Sequence, residues 1–168
     1  MDIFMNKTAL TIIAAVLLAL TGSACSKKTY RVERVIDASP KEVWSVLMDT
    51  ASYGDWNPVF VEVKGNYVEG GEVINTFKDP SGKLYEVTNK VKAVVPEKHL
   101  RQQGGMPLVI TFDHQWLLEP VPQGTRVTQY EVDRGFYVWF WDDSWIIPSY
   151  TEVLDALNVQ VKSQKQNR

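Results

Sequence analysis

Cysteine is nearly absent from this sequence of 168 residues, which has only Cys25, and histidine occurs only twice. A single thiol excludes a disulfide within the chain. The sequence also has no His-x-x-x-His pair, no Ser/His/Asp order and no glycine-rich phosphate loop. His99 and His114, with scattered acids, do not have the spacing of a metal site. We therefore expect no metal and no cofactor.

Basic clusters and long hydrophobic runs are missing as well. The formal net charge is −2 and the isoelectric point is near 5.7, which argues against nucleic acid as a partner. The uncharged run from Ala9 to Leu20 has twelve residues, whereas a membrane-spanning helix needs roughly 20. Its length suits the apolar part of a secretory signal, about 7–15 residues.

Residues 1–24 are therefore predicted to be a cleaved export signal, with Met1 or Met5 as its start. The letters GSAC at 22–25 resemble a lipobox, in which small residues precede a cysteine that signal peptidase II leaves as the new N-terminus. We expect Cys25 to be acylated with chains such as palmitate, and several chains hold a protein on a membrane firmly. The alternative is an ordinary secreted protein, cut nearby, in which Cys25 stays a free thiol.

The residues after the cysteine predict where the protein resides. Ser26, rather than an aspartate, implies sorting to the outer membrane, facing the periplasm, in a host that has two membranes. Residues 25–29, including Lys27 and Lys28, are predicted to form a solvated tether. Residues 30–168 have the size of one ordinary domain, and we expect a monomer.

A helix start follows the first predicted strand. Ser39 can accept a hydrogen bond from the backbone of Glu42, Pro40 suits the first helical position, and the Glu42 side chain can reach back. This predicts a helix over residues 40–48, and its apolar stripe must lie against a hydrophobic surface. The stripe consists of Val43, Trp44, Val46 and Leu47.

Alternating side chains predict seven strands, which suggests one curved antiparallel sheet. The clearest is 85–95, in which Tyr85, Val87, Asn89, Val91, Ala93 and Val95 face one way. The others are 30–36, 59–65, 72–78, 99–103, 108–119 and 125–133. In the strand at 108–119 one face carries Leu108, Ile110, Phe112, His114, Trp116 and Leu118. In 125–133 the pattern does not decide which face is inward.

A long C-terminal helix is predicted after Gly135, kinked at Pro148. Its apolar residues stand at helical spacing, and they are Tyr150, Val153, Leu154, Leu157 and Val161.

Several motifs together resemble the polyketide cyclase/dehydrase and lipid-transport family, part of the START-like helix-grip (SRPBCC) superfamily. They are ASPKEVW, DTASYGDWNP, FDHQWLLEP and GTRVTQYEV, followed by the closing helix, and they span nearly all of residues 30–165. The resemblance implies an α+β helix-grip fold: a curved antiparallel sheet of about seven strands around a long C-terminal helix, with short helices after the first strand. It also implies a hydrophobic cavity between sheet and helix.

Such a cavity is expected to bind or carry a hydrophobic small molecule or lipid. The predicted wall consists of Trp56, Phe77, Tyr85, Val87, Asn89, Phe112, His114, Trp116 and Leu154. A simpler interpretation places Phe112, Trp116 and Leu154 in a filled core, and Trp56 against its own turn.

The polar members of that wall leave a second interpretation open. Buried Asn89 and His114 either satisfy each other or the backbone, or await a ligand. An enzyme of the cyclase or dehydratase kind would use His114, with Arg101 or Tyr85, for proton transfer. A third possibility is an interaction module of the cell envelope.

The aromatic run 136–147 also has three interpretations: core, a lid over the cavity mouth, or a patch that touches lipid. We favour lid plus core, because the acidic pair Asp142-Asp143 opposes docking on anionic lipid. That pair is expected to be solvated rather than to bind a cation.

Overall fold

The computed structural model describes residues 26–166; the predicted signal and Cys25 lie outside them. Seven antiparallel strands form one sheet in the order β1-β7-β6-β5-β4-β3-β2. This curled sheet and its C-terminal helix confirm the predicted helix-grip fold. The strands are β1 (Lys27–Ile36), β2 (Phe60–Lys64), β3 (Glu72–Lys78), β4 (Leu84–Val95), β5 (His99–Met106), β6 (Ile110–Val121) and β7 (Gly124–Arg134).

Within the described residues, three α-helices accompany the sheet: α1 (Pro40–Met48), α2 (Tyr53–Trp56) and α3 (Ile146–Gln166). The predicted start of α1 is confirmed as a capping box. The backbone N–H of Glu42 donates to Ser39 Oγ at 3.3 Å, and the backbone N–H of Ser39 donates to Glu42 Oε2 at 2.7 Å. Both bonds satisfy backbone donors that a helix start leaves without partners.

The core lies where α1 and the later turns of α3 meet the concave side of the sheet. The predicted stripe of α3 is buried, and all of it except Tyr150 packs in one cluster with Val43, Val46 and Leu47 of α1. Tyr150 packs with Tyr30 and Ile146 in a second, smaller cluster. Leu154 and Leu157 are each at most 1% exposed, and burying a leucine side chain contributes about 1.5–3 kcal/mol. The filled core therefore occupies one end of the space that the sheet encloses.

Two of the residues predicted to face inward, Val95 and Leu108, are exposed instead. The register shifts between Val91 and Ala93, and such a bulge bends a strand. Val94 consequently packs against the core, while Val95, predicted to face inward, is 43% exposed. Leu108 was also predicted on the inner face, but it lies in the β5–β6 turn and is 82% exposed.

The C-terminal helix begins later than the sequence predicted. A 3₁₀ turn at Tyr137–Trp139 follows β7, and α3 starts only at Ile146. Pro148 thus lies in the first turn, where its missing N–H breaks no intrahelical bond, so the predicted kink has no cause. At the N-terminal end of the described residues, Lys27 and Lys28 belong to β1 rather than to a tether.

Candidate functional site: a cavity lined by apolar rings and a few polar groups

A cavity of about 480 Å³ lies between the sheet and the first turns of α3. It occupies the end of the concave side that the core leaves unfilled, beside Ile146 and Tyr150. The exposed members of its wall, Pro80, Tyr85 and Tyr137, mark its mouth. The mouth therefore lies between the β3–β4 turn and the aromatic segment that precedes α3.

Seven of the nine predicted wall residues line this cavity: Phe77, Tyr85, Val87, Asn89, Phe112, His114 and Trp116. The structure places Trp56 and Leu154 in the core cluster instead. Trp56 packs on Tyr53, with ring centroids 5.1 Å apart, as its alternative interpretation expected. Leu154 lies two helical turns after Ile146, where α3 already contacts other core residues.

Aromatic rings form the side of the mouth contributed by the β3–β4 hairpin. Phe77 and Tyr85 are opposite each other on neighbouring strands and stack with centroids 5.1 Å apart. Lys83 Nζ lies 4.7 Å from the centroid of the Tyr85 ring. Tyr85 thus forms an edge of the opening, where its side chain also hydrogen-bonds to Asp79 of the cavity wall.

Three buried amides from β3, β4 and β5 form one polar cluster. Gln102 Oε1 accepts from Asn75 Nδ2 at 3.2 Å and from Asn89 Nδ2 at 3.4 Å. Within residues 26–166, the oxygens Asn75 Oδ1 and Asn89 Oδ1 have no hydrogen-bond partner. All three residues line the cavity, so a ligand group that reaches either oxygen must be a hydrogen-bond donor.

His114 lies at the centre of the cavity wall and is buried. Gln129 Nε2 lies 3.0 Å from His114 Nε2, so this amide donates to an unprotonated ring nitrogen. Burial lowers the pKa of His114 to about 4, although the nearby negative charge of Asp113 opposes the shift. The imidazole is therefore neutral at pH 7. The partner of its Nε2 is Gln129 rather than Asn89 or the backbone, which were the partners that the sequence suggested.

The sequence did not identify a buried pair of acids, Glu131 and Asp133, on the cavity wall. Burial and the charge of Asp133 raise the pKa of Glu131 well above its usual value. Burial also raises the pKa of Asp133 to about 7. The Tyr150 hydroxyl donates to Glu131, and protonated Glu131 donates to Asp133. The pair thus holds at least one proton at pH 7.

The register of the β6–β7 hairpin explains how these acids reach the cavity. Val121 pairs with Gly124 across a two-residue turn, which places Glu131 opposite His114. Directly opposite residues face the same side of a sheet. His114 was correctly predicted to point inward, so a two-residue turn assumed at 122–123 would have assigned Glu131 to the same face.

Asp143 was predicted to be solvated, but its side chain is bonded to two residues of β1. Its carboxylate accepts from Lys28 Nζ at 2.6 Å and from the Tyr30 hydroxyl at 2.8 Å. The bond from Lys28 helps hold the pKa of Asp143 below its usual value. Asp143 therefore fastens the segment before α3 to β1, whereas Asp142 is exposed as predicted.

Arg101, a candidate for catalysis, lies outside the cavity. Its guanidinium makes two hydrogen bonds to Asp113, at 2.9 and 2.6 Å, on the opposite face of the sheet from Gln102 and His114. Among the described residues, no group of three His, Cys, Asp or Glu side chains is placed to hold a metal ion. The helices within 26–166 include none that is long and apolar enough to cross a bilayer.

The aromatic run 136–147 divides between the interior and the surface. Val138 is fully buried, and Trp141, Trp145 and Ile146 line the cavity with Tyr137. Trp139 is 62% exposed and Phe140 is 78% exposed. These two rings belong neither to a core nor to the cavity wall.

Comparison with known proteins agrees with this architecture. No curated protein matches the chain. The solved structures that share the fold include a protein of unknown function from Staphylococcus aureus (14% identity, TM-score 0.68, 84% of this chain and 98% of that one). They also include a protein from Rhodobacter sphaeroides (18%, 0.67, 83% and 99%) and a protein from Nitrosomonas europaea (17%, 0.67, 83% and 97%).

The sequence model described as "Polyketide cyclase / dehydrase and lipid transport" matches residues 27–161, which is most of the chain and the whole of the sheet. The chain therefore belongs to the polyketide cyclase/dehydrase and lipid-transport family.

Proposed function

We propose that this protein binds or carries a hydrophobic small molecule or lipid and that it is held on the cell envelope by an acylated Cys25. The cavity is the observation that carries the binding proposal. Its volume of about 480 Å³ lies within the range of about 300–1,000 Å³ for small-molecule sites, and its mixture of apolar rings with a few polar groups is typical of such sites.

Binding is tested with the neutral probe N-phenyl-1-naphthylamine, whose fluorescence rises in apolar surroundings. Val87 lines the cavity, whereas its neighbour Thr88 is exposed on the other face of β4. We expect Val87→Trp to fill the cavity and weaken probe binding at least tenfold, while Thr88→Trp binds as the wild type does. Equal binding by wild type and Val87→Trp would show that the cavity is not the site.

The natural ligand is identified by native mass spectrometry of protein purified from its own membranes. We expect an apolar molecule to copurify with the wild-type protein and to be absent from Val87→Trp. A wild-type protein that carries no such molecule in any preparation would contradict the proposal.

The position of the first described residue supports the anchoring part of the proposal. The backbone oxygen of Ser26, the residue after Cys25, accepts from Gly135 N at 3.2 Å. Lys28 Nζ donates to the backbone oxygen of Trp141 at 3.4 Å. An anchor at Cys25 would thus hold the cavity mouth and the exposed rings of Trp139 and Phe140 near the membrane surface, where aromatic side chains are favoured.

Anchoring is tested by replacing the acylated residue. We expect Cys25→Ser to move the protein from the membrane to the soluble fraction, and mass spectrometry of the wild-type N-terminal peptide to find acyl chains on Cys25. Sorting is tested with Ser26→Asp. We expect this variant to be absent from the outer membrane fraction, in which we expect the wild type to be found. An unmodified wild-type Cys25 would refute the anchor but leave ligand binding untouched.

An enzyme of the cyclase or dehydratase kind is a second candidate, favoured by the protonated Glu131 inside the cavity. His114 is a weaker proton donor than the sequence suggested, because its neutral ring is already bonded to Gln129. The candidate predicts that the purified wild type converts the ligand recovered from native protein, and that Glu131→Gln does not. Ligand that stays chemically unchanged with the wild type would exclude it.

A further inference from the structure

The cavity wall contains acidic side chains but no lysine or arginine among the described residues. These acids are Asp79, Glu131 and Asp133. His114 adds no positive charge near pH 7, because its pKa lies near 4. Asp79 stands at the mouth, so Glu131 and Asp133 alone determine the charge of the interior.

Lys28 lies outside the wall, and its ammonium group is already paired with another acid. Lys28 lowers the pKa of Asp133, but its Nζ bonds to Asp143 Oδ1 at 2.6 Å. Tyr30 and Tyr150 face the pair as neutral hydroxyls, since the pKa of each is raised, first of all by burial. Asp113 and Asp143 add further negative charge nearby.

Within residues 26–166, the buried polar atoms that lack hydrogen-bond partners and belong to cavity-lining residues are all oxygens. They include Asp133 Oδ1 beside the acid pair and, in the amide cluster, Asn75 Oδ1 and Asn89 Oδ1. Each of these residues is at most 5% exposed, and each lines the cavity. All three atoms are acceptors, so a ligand that satisfies them must supply N–H or O–H donors.

These groups form a band across the concave face. Glu131 on β7, His114 on β6 and Gln102 on β5 stand opposite one another in register. Two strand spacings separate Glu131 from Gln102, so the acid pair and the amide cluster lie about 10 Å apart. The rings around the band leave apolar space on either side of it.

We propose that the ligand of this cavity is an apolar molecule with a protonated amine, which binds the Glu131–Asp133 pair, and that the cavity rejects carboxylates. The proposal rests on the proposed binding function and names the ligand class. An ammonium group supplies three donors and forms charge-assisted hydrogen bonds to a carboxylate. A buried carboxylate ligand would find no lysine or arginine in the described wall, and it would meet the negative charge that the acid pair acquires as the pH rises.

Proton balance makes a second consequence measurable. The empty pair holds at least one proton at pH 7, whereas pairing with an ammonium favours its ionised form. Binding therefore releases a proton from the pair to solvent, and amine affinity rises between pH 6 and pH 8. The amine itself remains protonated over this range.

Three probes that share a ten-carbon chain and differ in their polar group test the proposal: decylamine, decanol and decanoate. Each is used below its critical micelle concentration, in competition with N-phenyl-1-naphthylamine. We expect decylamine to bind at least tenfold more tightly than decanol, and decanoate to bind most weakly. Glu131→Gln with Asp133→Asn should reduce the preference for the amine to less than threefold. The matched control is Asp142→Asn, an exposed acid that does not line the cavity.

The outcomes separate this proposal from the binding function. Equal affinities for the three probes, or tightest binding of decanoate, would overturn the amine proposal while the binding function stands. Binding of none of them, nor of N-phenyl-1-naphthylamine, would overturn both. If the double variant fails to fold, Asp133→Asn alone replaces it, and unchanged preference for the amine in that variant contradicts the proposal.

Discussion

Replacing Asp133 by asparagine should remove a large pH dependence from the stability of the fold. The pKa of Asp133 rises from 3.8 to about 7 on folding. Below pH 4 the carboxyl is protonated in both states, and between pH 4 and pH 7 only the folded protein keeps the proton. The free energy of unfolding therefore falls with rising pH over this range, by about 4 kcal/mol from this one group.

Asparagine does not titrate, so the variant lacks this loss. The pKa of Glu131 is raised partly by the charge of Asp133; removing that charge lowers the pKa of Glu131 and adds to the difference in the same direction. We expect the stability of Asp133→Asn relative to wild type to increase by about 4 kcal/mol between pH 4 and pH 8.

The assay is urea unfolding followed by tryptophan fluorescence, with the wild type and the variant at each pH. Taking the difference between them cancels the titration of groups that the substitution does not affect. Asp142→Asn is the control, because Asp142 is exposed and the bond from Ser144 lowers its pKa; its stability relative to wild type should show no such increase. A difference for Asp133→Asn that stays constant within about 0.5 kcal/mol from pH 4 to pH 8 would refute the reasoning.

Three further substitutions test other parts of the structure by urea unfolding. The pKa of His114 falls from 6.5 to about 4 on folding, so the wild type should lose about 3 kcal/mol more than His114→Gln as the pH drops from 6.5 to 4, and parallel curves would contradict this. Gly104→Ala places a Cβ 2.5 Å from both Asn89 Oδ1 and Phe112 Cζ; we expect a loss of about 1–3 kcal/mol with weaker probe binding, and unchanged values would show that neither side chain is held there. Ser39→Ala removes the helix cap and should cost about 1 kcal/mol; no loss would mean that the cap contributes nothing.

Some residues of the cavity wall could be predicted from the alternation within one strand, whereas others could be assigned only from the pairing between strands. Alternation assigned Val87, Asn89, His114 and Trp116 to inward faces, because successive strand residues point to opposite sides. The same alternation was ambiguous in β7, where both faces mix polar and apolar residues, so Glu131 was missed. Only its pairing with β6 decides the face, through the turn that joins the two strands.

Errors in the expected wall have a different origin. Trp56 and Leu154 are apolar and point inward, as predicted, yet they lie in the filled core. The periodicity of the sequence predicts the direction in which a side chain points, but not its distance from the opposite wall. Whether an inward side chain meets a neighbour or empty space depends on where α3 crosses the sheet, and this crossing is a tertiary feature.

The sequence by itself determined the family, the seven strands, the capped helix α1 and the buried stripe of α3, because each depends on residues close together in the chain. Tertiary structure alone decided that α3 starts at Ile146, that Arg101 lies outside the cavity, and that two acids share a proton within it. These features depend on groups from different strands and helices that meet only after folding, and burial then changes their pKa values in ways that no local pattern encodes.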